Sequence, residues 1–315
     1  MSLPANAERP GHFVFIVNPQ AGRRGSRSMI RHIESSLSGY PDIQAEFAIT
    51  EAPGHATRLA AEYAARYGAS AVIFACGGDG TANEVVQGLA GTDAVMSVIP
   101  IGTSNDFCRA AFSTVHLKTL YTRLANPQIR PIDLIEYDNG ISLNIVSLGL
   151  DTMIQIHAQK LIRRWHLPGR IVYPLAIVAG LAGKRQFDMR FRFDVIDEHG
   201  AIVDATGDSR FILAAICNGR YYGGGFNPAP EASLDDGRLD VCLVDSLPLR
   251  RVLPLIPLYK KGRHLGHPAI HTWTVVGGEL TADTDPLPGN ADGEVFHRRT
   301  IRFHVLPRHL RFAFY

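Results

Sequence analysis

No apolar run in this chain is long enough to cross a bilayer. The longest, Ile171 to Ala182, holds 12 residues and includes Pro174, whereas a spanning helix needs about 20. Cysteine is sparse. Cys76, Cys108, Cys217 and Cys242 lie far apart without a C-x-x-C pair, which argues against a disulfide scaffold or a zinc site and fits reduced, buried thiols. The thirteen histidines show no H-E-x-x-H or other ligand spacing, so none is assigned to zinc. The formal net charge is only +2, which gives no general electrostatic drive toward nucleic acid. The first residues are polar and proline-containing, without the apolar core of a secretory signal. A cytoplasmic location is the expectation.

Acids are missing from two stretches. Thr152 to Phe187 has no Asp or Glu but carries Lys160, Arg163, Arg164, Arg170, Lys184 and Arg185, and Ser246 to Gly278 has none but carries Arg250, Arg251, Lys260, Lys261 and Arg263. Both are also rich in Leu, Ile, Trp and Tyr, with Trp165, Tyr173, Tyr259 and Trp273 as aromatics suited to a membrane interface. They read either as solvated helix faces or as a basic, partly apolar surface for anionic lipid headgroups.

What is present is enough for two domains and a large core. There are 315 residues, 46% hydrophobic and 20% charged, as in ordinary globular proteins. In the first third, strands alternate with helices. Strands are expected at Phe13–Val17, Ile43–Thr50, Ala71–Ala75 and Val95–Pro100, and helices at Ser28–Leu37, His55–Tyr67 and Thr81–Leu89, with Thr81 as a candidate N-cap. This is the pattern of a doubly wound parallel sheet. After Pro131, short runs separated by turn signals follow: Ile132–Tyr137, Ile141–Leu148, Phe187–Ile196, Arg210–Cys217, Leu239–Val244, Thr272–Val276 and Arg302–Val305. Helical segments interrupt them near Met153–Trp165, Pro168–Ala182 and Leu249–Lys260. The expectation is an α/β domain over 1–131, completed by 306–315, and a mostly antiparallel β-sandwich domain over 132–305.

Three polar loops follow strands in the first part. They are Asn18-Pro19-Gln20-Ala21-Gly22-Arg23-Arg24-Gly25, Cys76-Gly77-Gly78-Asp79-Gly80-Thr81-Ala82-Asn83, and Ile101-Gly102-Thr103-Ser104-Asn105-Asp106-Phe107-Cys108-Arg109. In parallel sheets, ligands sit beyond the carboxyl ends of strands, so the three should share one crevice. Glycines let main-chain N–H groups approach a phosphate, and a helix N-terminus adds donors and a positive dipole end. A carboxylate such as Asp79 in an anion cradle calls for a cation, or for a hydroxyl to hold or deprotonate. A nucleotide with Mg2+ satisfies both features. Asp79 reads as a turn residue whose replacement would spare the fold. Asp235-Asp236-Gly237 and Asp292-Gly293 read on spacing alone as turns. Gly223-Gly224-Gly225 is either a ligand cradle or a flexible connection.

Together these segments resemble the diacylglycerol kinase catalytic family, in particular its soluble bacterial lipid-kinase branch, with sphingosine and ceramide kinases as more distant relatives. The resemblance runs from Phe13 to the C-terminus. Gly77-Gly78-Asp79-Gly80-Thr81 is shared with NAD kinases. Gly102-Thr103-Ser104-Asn105-Asp106-Phe107, Leu234-Asp235-Asp236-Gly237-Arg238-Leu239-Asp240-Val241 and Asp292-Gly293-Glu294 are more specific to the lipid kinases. The resemblance implies ATP contacts at Asn18 to Gly22, Thr50, Gly77 to Asn83, Thr103, Asn105 and Asp106. It implies that Asp79, Asp106 and Asp292 organise Mg2+ through water, and that Glu294, or Asp292, accepts the proton of the lipid hydroxyl. It also implies a structural Mg2+ held by Asp236 and the carbonyls of Ser233 and Arg238. The first loop departs from the family in reading Pro-Gln-Ala-Gly-Arg-Arg-Gly where small hydroxyl residues are common.

The function expected is ATP-dependent phosphorylation of a membrane lipid hydroxyl, diacylglycerol first, with phosphatidylglycerol or a sphingoid base as variants. The competing readings are an NAD kinase, against which the Asn105-Asp106-Phe107 and Asp292-Gly293-Glu294 motifs argue, and a non-catalytic lipid-binding protein. Peripheral contact with an anionic membrane is expected. The oligomeric state stays open, a homodimer included.

Overall fold

In the computed structural model, which describes residues 10–22, 26–112, 116–138, 140–165, 169–183 and 186–315, the chain divides into two compact units. The first comprises Met1–Leu134 and Pro307–Tyr315, the second Ile135–Leu306.

The first unit contains β1 (His12–Val17), α1 (Ser26–Leu37), β2 (Gln44–Ile49), α2 (His55–Tyr67), β3 (Ala71–Gly77), α3 (Asp79–Leu89), β4 (Val95–Pro100), α4 (Asp106–Ala111) and α5 (Leu117–Arg123). Most of β5 (Gln128–Tyr137) also belongs to it. β1 lies between β2 and β3, β4 flanks β3, and all these pairings are parallel. The chain's last strand, β14 (Thr300–Phe314), adds its C-terminal part beside β4, with Arg311 opposite Val95 and Phe312 opposite Met96. Strands that are apolar throughout belong in a sheet buried on both faces. Here Phe13, Phe15, Val17, Phe74 and Val95 pack under α1 and α5, while α2 and α3 cover the opposite face. The returning C-terminal segment is pinned where the buried Asp133 accepts the Arg308 N–H at 2.7 Å.

Helices α2 and α3 meet through small residues. Ala56, Ala60 and Ala64 form a buried i, i+4 stripe on α2, and Gly88 of α3 lies against it. Glu84 of α3 accepts the Ala56 N–H at 3.1 Å, which caps α2 in place of a local side chain.

The second unit holds β6 (Gly140–Ser142), β7 (Ile145–Gly149), α6 (Leu150–Trp165), α7 (Gly169–Ala182), β8 (Phe187–Ile196), β9 (Ile202–Cys217), β10 (Leu239–Asp245), α8 (Leu249–Lys260), β11 (Ile270–Ala282), β12 (Leu287–Ala291), β13 (Glu294–Arg298) and the first part of β14. The strand pairings within it are antiparallel, in the order β13-β12-β7-β9-β10-β11-β14, with β8 bridging β9 and β11. Period-two alternation divides the side chains. Val146, Leu148, Ala214 and Ile216 enter the main core, while Ile145, Ala215 and Cys217 face the opposite side.

Several elements differ from the sequence expectation. Helix α3 starts at Asp79, with Gly78 at its N-cap. Thr81 is therefore inside the first turn and is not the cap. β12 and β13 were not foreseen, and β9 begins at Ile202 where Arg210 was expected. The membrane-facing reading of two aromatics is corrected as well. Tyr259 is buried beside Phe226 and His264, and Trp273 packs on Phe191 and Phe193. The side chains of Arg163, Arg164, Trp165, Arg170 and Tyr173, and residues Arg23, Arg24, Gly25, Lys184 and Arg185, lie outside what the structure describes. Among the described residues, no helix is long and apolar enough to cross a membrane.

The α2–α3 contact makes a test of packing against propensity. Gly88→Ala should gain about 1 kcal/mol of helix propensity. The added Cβ would sit 2.3 Å from the Thr57 carbonyl oxygen and 2.9 Å from Ala60 Cβ. Overpacking of this kind costs about 1–3 kcal/mol or more, so the variant should unfold at lower denaturant than wild type. A midpoint equal to or above wild type would show that the helices can part without loss.

Candidate active site

The first unit brings the three polar loops together. The Gly77 carbonyl at the end of β3 accepts the N–H groups of both Ile101 and Gly102, each at 3.0 Å. The Asn18 N–H donates to the Cys76 carbonyl at 3.0 Å, and Asn18 Nδ2 donates to Thr81 Oγ1 at 3.1 Å. Asn18 Oδ1 accepts the Gln20 N–H, and the Asn18 carbonyl accepts that of Ala21, so Asn18, Pro19, Gln20 and Ala21 form a closed turn. Thr50 follows β2 and donates its N–H to the Val17 carbonyl, next to Asn18.

Glycine is required where backbones touch. A Cβ on Gly102 would lie 2.3 Å from Gly78 Cα, and one on Gly22, at φ +80°, 2.5 Å from the Ile101 carbonyl oxygen. Space for side chains is exchanged here for access to main-chain N–H groups, which is the condition for an anion cradle. Gly80 and Ala82 belong to the first turn of α3, and Asn83, buried in the same helix, accepts from Gln87 Nε2. Thr103 lies in the loop just before α4.

Asp79 has a structural duty that the sequence did not disclose. Its Oδ1 accepts the Phe107 N–H at 3.1 Å. Helix α4 has Asn105 at its N-cap in a left-handed conformation, φ +51°, with no side-chain cap of its own. Asp79 thus caps α4 from the first turn of α3, and the reading of Asp79 as structurally dispensable is corrected. Asp106 occupies the first turn of α4, 4% exposed, with Arg109 Nε 3.9 Å from its Oδ1. Both acids sit in helix first turns, where the dipole favours negative charge. Burial pushes the Cys108 thiol far up, and the carboxylates of Asp79 and Asp106 add to the effect. A small cavity here is lined by Gly77, Gly78, Asp79, Asn105, Phe107 and Cys108.

The second unit carries the other candidate acids. Asp292 and Gly293 form the two-residue turn between β12 and β13, with φ of +47° and +103°, as a mirror-image hairpin turn needs. The Asp292 carboxylate accepts three successive main-chain N–H groups, from Leu143 at 2.6 Å, Asn144 at 3.2 Å and Ile145 at 3.0 Å. Glu294 begins β13 and is exposed. Tyr137, missed by sequence reasoning, stacks on Phe296, and its hydroxyl is pushed up to about 12 by burial, then by Asp292 and Glu294. Asp151, in the first turn of α6, is half-buried as a residue, yet its Oδ2 is covered. Burial raises its carboxyl to about 6, against the opposing effect of hydrogen bonds from Ser147, Thr152 and Tyr222.

Asp236 lies in an exposed turn and accepts the Arg238 N–H at 3.0 Å, while Ser233 Oγ donates to Asp235. Among the described residues, no group of three or more His, Cys, Asp or Glu side chains forms a metal cage. A Mg2+ ion at the loops would draw its ligands from one or two carboxylates, water and phosphate, which is how this ion is usually held.

A Gly-rich cradle on a parallel sheet, followed by an antiparallel β unit, defines a nucleotide-dependent phosphotransferase of the kind shared by NAD kinases and lipid kinases. The comparisons narrow this. The family model described as "Diacylglycerol kinase catalytic domain" matches residues 12–137, and that described as "YegS C-terminal NAD kinase beta sandwich-like domain" matches residues 144–314. A protein named "Probable lipid kinase YegS-like" from Xanthomonas campestris is 30% identical over 96% of both chains. A diacylglycerol kinase of Mycobacterium tuberculosis is 33% identical over 61% of both. A solved structure titled a diacylglycerol kinase from Bacillus anthracis superposes with a TM-score of 0.72 at 20% identity over 97% of both chains, a likeness of fold. The chain belongs to the lipid kinase family built from these two domains, and ATP use follows from that membership.

Asp79 can be tested for its two duties separately. Asp79→Asn keeps an acceptor for the Phe107 N–H and loses the charge. Asp79→Ala loses both. The Ala variant should be less stable than the Asn variant by about 1 kcal/mol, the worth of a cap. Both should lose several kcal/mol of transition-state stabilisation, roughly 100-fold or more in turnover. Turnover near wild type in Asp79→Asn would remove the ionic role.

Proposed function

We propose that this chain transfers the γ-phosphoryl group of ATP to the free hydroxyl of a membrane lipid, diacylglycerol in the first instance, giving phosphatidic acid. The observation that supports the reading is the fastening of the three loops to one another at the N-terminus of α3, through the Cys76 and Gly77 carbonyls and the Thr81 hydroxyl. Phosphoryl transfer consists largely of positioning and charge neutralisation. The N-terminal N–H groups of α3 bind phosphate, and the loops Asn18 to Gly22 and Gly102 to Asn105 orient the nucleotide. Asp79 and Asp106 would be the acids to hold Mg2+, and the ion would supply neutralisation of the phosphate charge.

Glu294 accepts the proton of the attacking hydroxyl. Asp292, fixed by Leu143, Asn144 and Ile145, is the anchor of the turn that presents Glu294. Proton transfer is late, because an alcohol is far less acidic than a carboxylic acid. Asp236, with the carbonyls of Ser233 and Arg238, offers a set of hard oxygen donors for a structural Mg2+. Negative charge is concentrated there. The Asp240 carboxyl is raised first by burial and then, against a hydrogen bond from Thr274, by Asp236 and Glu231.

The lipid is reached by peripheral membrane contact through α8. Leu249, Leu253 and Leu258 are 39%, 51% and 39% exposed. Arg250, Arg251, Lys260 and Lys261 are exposed beside them, within a stretch that has no acid. Apolar and basic groups together suit the surface of an anionic leaflet.

Incubation with labelled ATP, Mg2+ and a total bacterial lipid extract, followed by chromatography, tests the reaction. Label should enter the organic phase as phosphatidic acid, and Glu294→Gln should lower kcat by roughly 10²–10⁴-fold. Label on phosphatidylglycerol or a sphingoid base would change the lipid. Label only on a soluble dinucleotide would overturn the reading.

Sedimentation with vesicles containing anionic lipid tests the membrane contact. Wild type should bind at low salt and release at high salt. Replacing Arg250, Arg251, Lys260 and Lys261 by Gln should weaken binding tenfold or more, since such charges contribute about 1 kcal/mol each. The KM for ATP should stay unchanged. Equal binding by both proteins would mean that α8 is an ordinary solvated face.

A further inference from the structure

The hairpin turn that carries Glu294 is held more firmly than folding requires. A two-residue turn with both φ positive sets its own register, and β12 is already paired on both sides, with β7 and with β13. Three further sets of bonds nonetheless converge on it. The main-chain N–H groups of Leu143, Asn144 and Ile145 grip Asp292. Asn290 Oδ1 accepts the Gly293 N–H at 3.2 Å. Gln155 Nε2, from the second turn of α6, donates to the Gly293 carbonyl at 2.6 Å. Both polar groups of Gly293 are therefore fixed by side chains, one of them from a helix 138 residues away in sequence.

Asn290 extends the linkage. Its Nδ2 donates to Ser147 Oγ at 2.5 Å and lies 3.5 Å from Thr152 Oγ1. Ser147 is on β7, and Thr152 is in the first turn of α6 and donates to the Ser147 carbonyl at 3.4 Å. Asn290 and Thr152 are buried, and buried hydrogen-bonded networks rigidify what they join. The first two turns of α6 and the turn before Glu294 are in this way one hydrogen-bonded body.

We infer that Gln155 and Asn290 are positioning residues for the phosphoryl-transfer step, which fix the Asp292-Gly293 turn against α6 and thereby set where the Glu294 carboxylate stands. The inference rests on the reading of Glu294 as proton acceptor. Gln155 is the sharper handle, because it is half-buried and can be changed without opening a core. Misplacing a reacting group by an ångström costs up to about 100-fold, and the loss falls on kcat, since the nucleotide loops are untouched.

The test is a double-mutant cycle with Gln155→Met and Glu294→Gln, assayed by label transfer from ATP to a total bacterial lipid extract in mixed micelles. Met keeps the length of Gln without its donor. Gln155→Met should lower kcat roughly tenfold, with the KM for ATP and the thermal midpoint near wild type. Backbone hydrogen exchange over residues 290–294 should become faster. In the Glu294→Gln background the same change should lower kcat no further, because the group it positions is gone. If Gln155→Met alone lowers the midpoint, Gln155→Asn, which keeps the amide but cannot reach, carries the cycle. An equal fractional loss in both backgrounds, or no loss in either, overturns the inference while leaving Glu294 in place. Wild-type kcat in Glu294→Gln would instead overturn the proton-acceptor reading, and the inference with it.

Discussion

A single carbonyl organises the nucleotide side of this protein. The Gly77 oxygen accepts two N–H groups, from Ile101 and Gly102, and so the end of β3 and the end of β4 are fastened at the point where both strands leave the sheet. The fastening demands that Gly78 and Gly102 lack side chains, because a Cβ on Gly102 would overlap the Gly78 backbone. Once those backbones touch, Asp79 is carried to within hydrogen-bond reach of Phe107. Helix α4 is then capped from the first turn of α3, and Asn18 closes the third side through Thr81.

The continuous apolar strands of the first unit were legible because their burial on both faces requires them to be apolar throughout. β12 was not legible. Its sequence, Leu-Pro-Gly-Asn-Ala, contains the two residues that strands disfavour, yet all five positions are buried between β7 and β13. Tertiary pairing overrode local preference there. The first half of β9, from Ile202 to Ser209, is mostly polar and exposed, and is a strand because β8 pairs with it along its whole length. Thr81 looked like a cap because it precedes the first apolar residues of the helix. The helix starts two residues earlier because a carboxylate in the first turn, Asp79, is favoured by the dipole and has a partner in the next loop.

The candidate site divides in the same way. Loops whose main chains touch announce themselves by glycine, and the turns at Asn18, Gly77 and Gly102 could be read directly as meeting in one place. Residues that act by reaching distant chain could not. Asp292 finds its three N–H donors 147 to 149 residues away, and Tyr137 meets Phe296 across a similar span. Neither contact has any local signature; the strand pairings of the second unit create them.

The acids of the two units also differ in the work their surroundings allow. Asp79 and Asp106 sit in helix first turns, where the dipole favours negative charge. Asp292 is surrounded by the N–H donors of Leu143, Asn144 and Ile145, which fix its turn. Glu294, exposed at the start of β13, has no helix dipole to hold its charge. For the proposed assignment of proton acceptance to Glu294, the firm hold on the turn before it compensates for a side chain that its own burial does not fix.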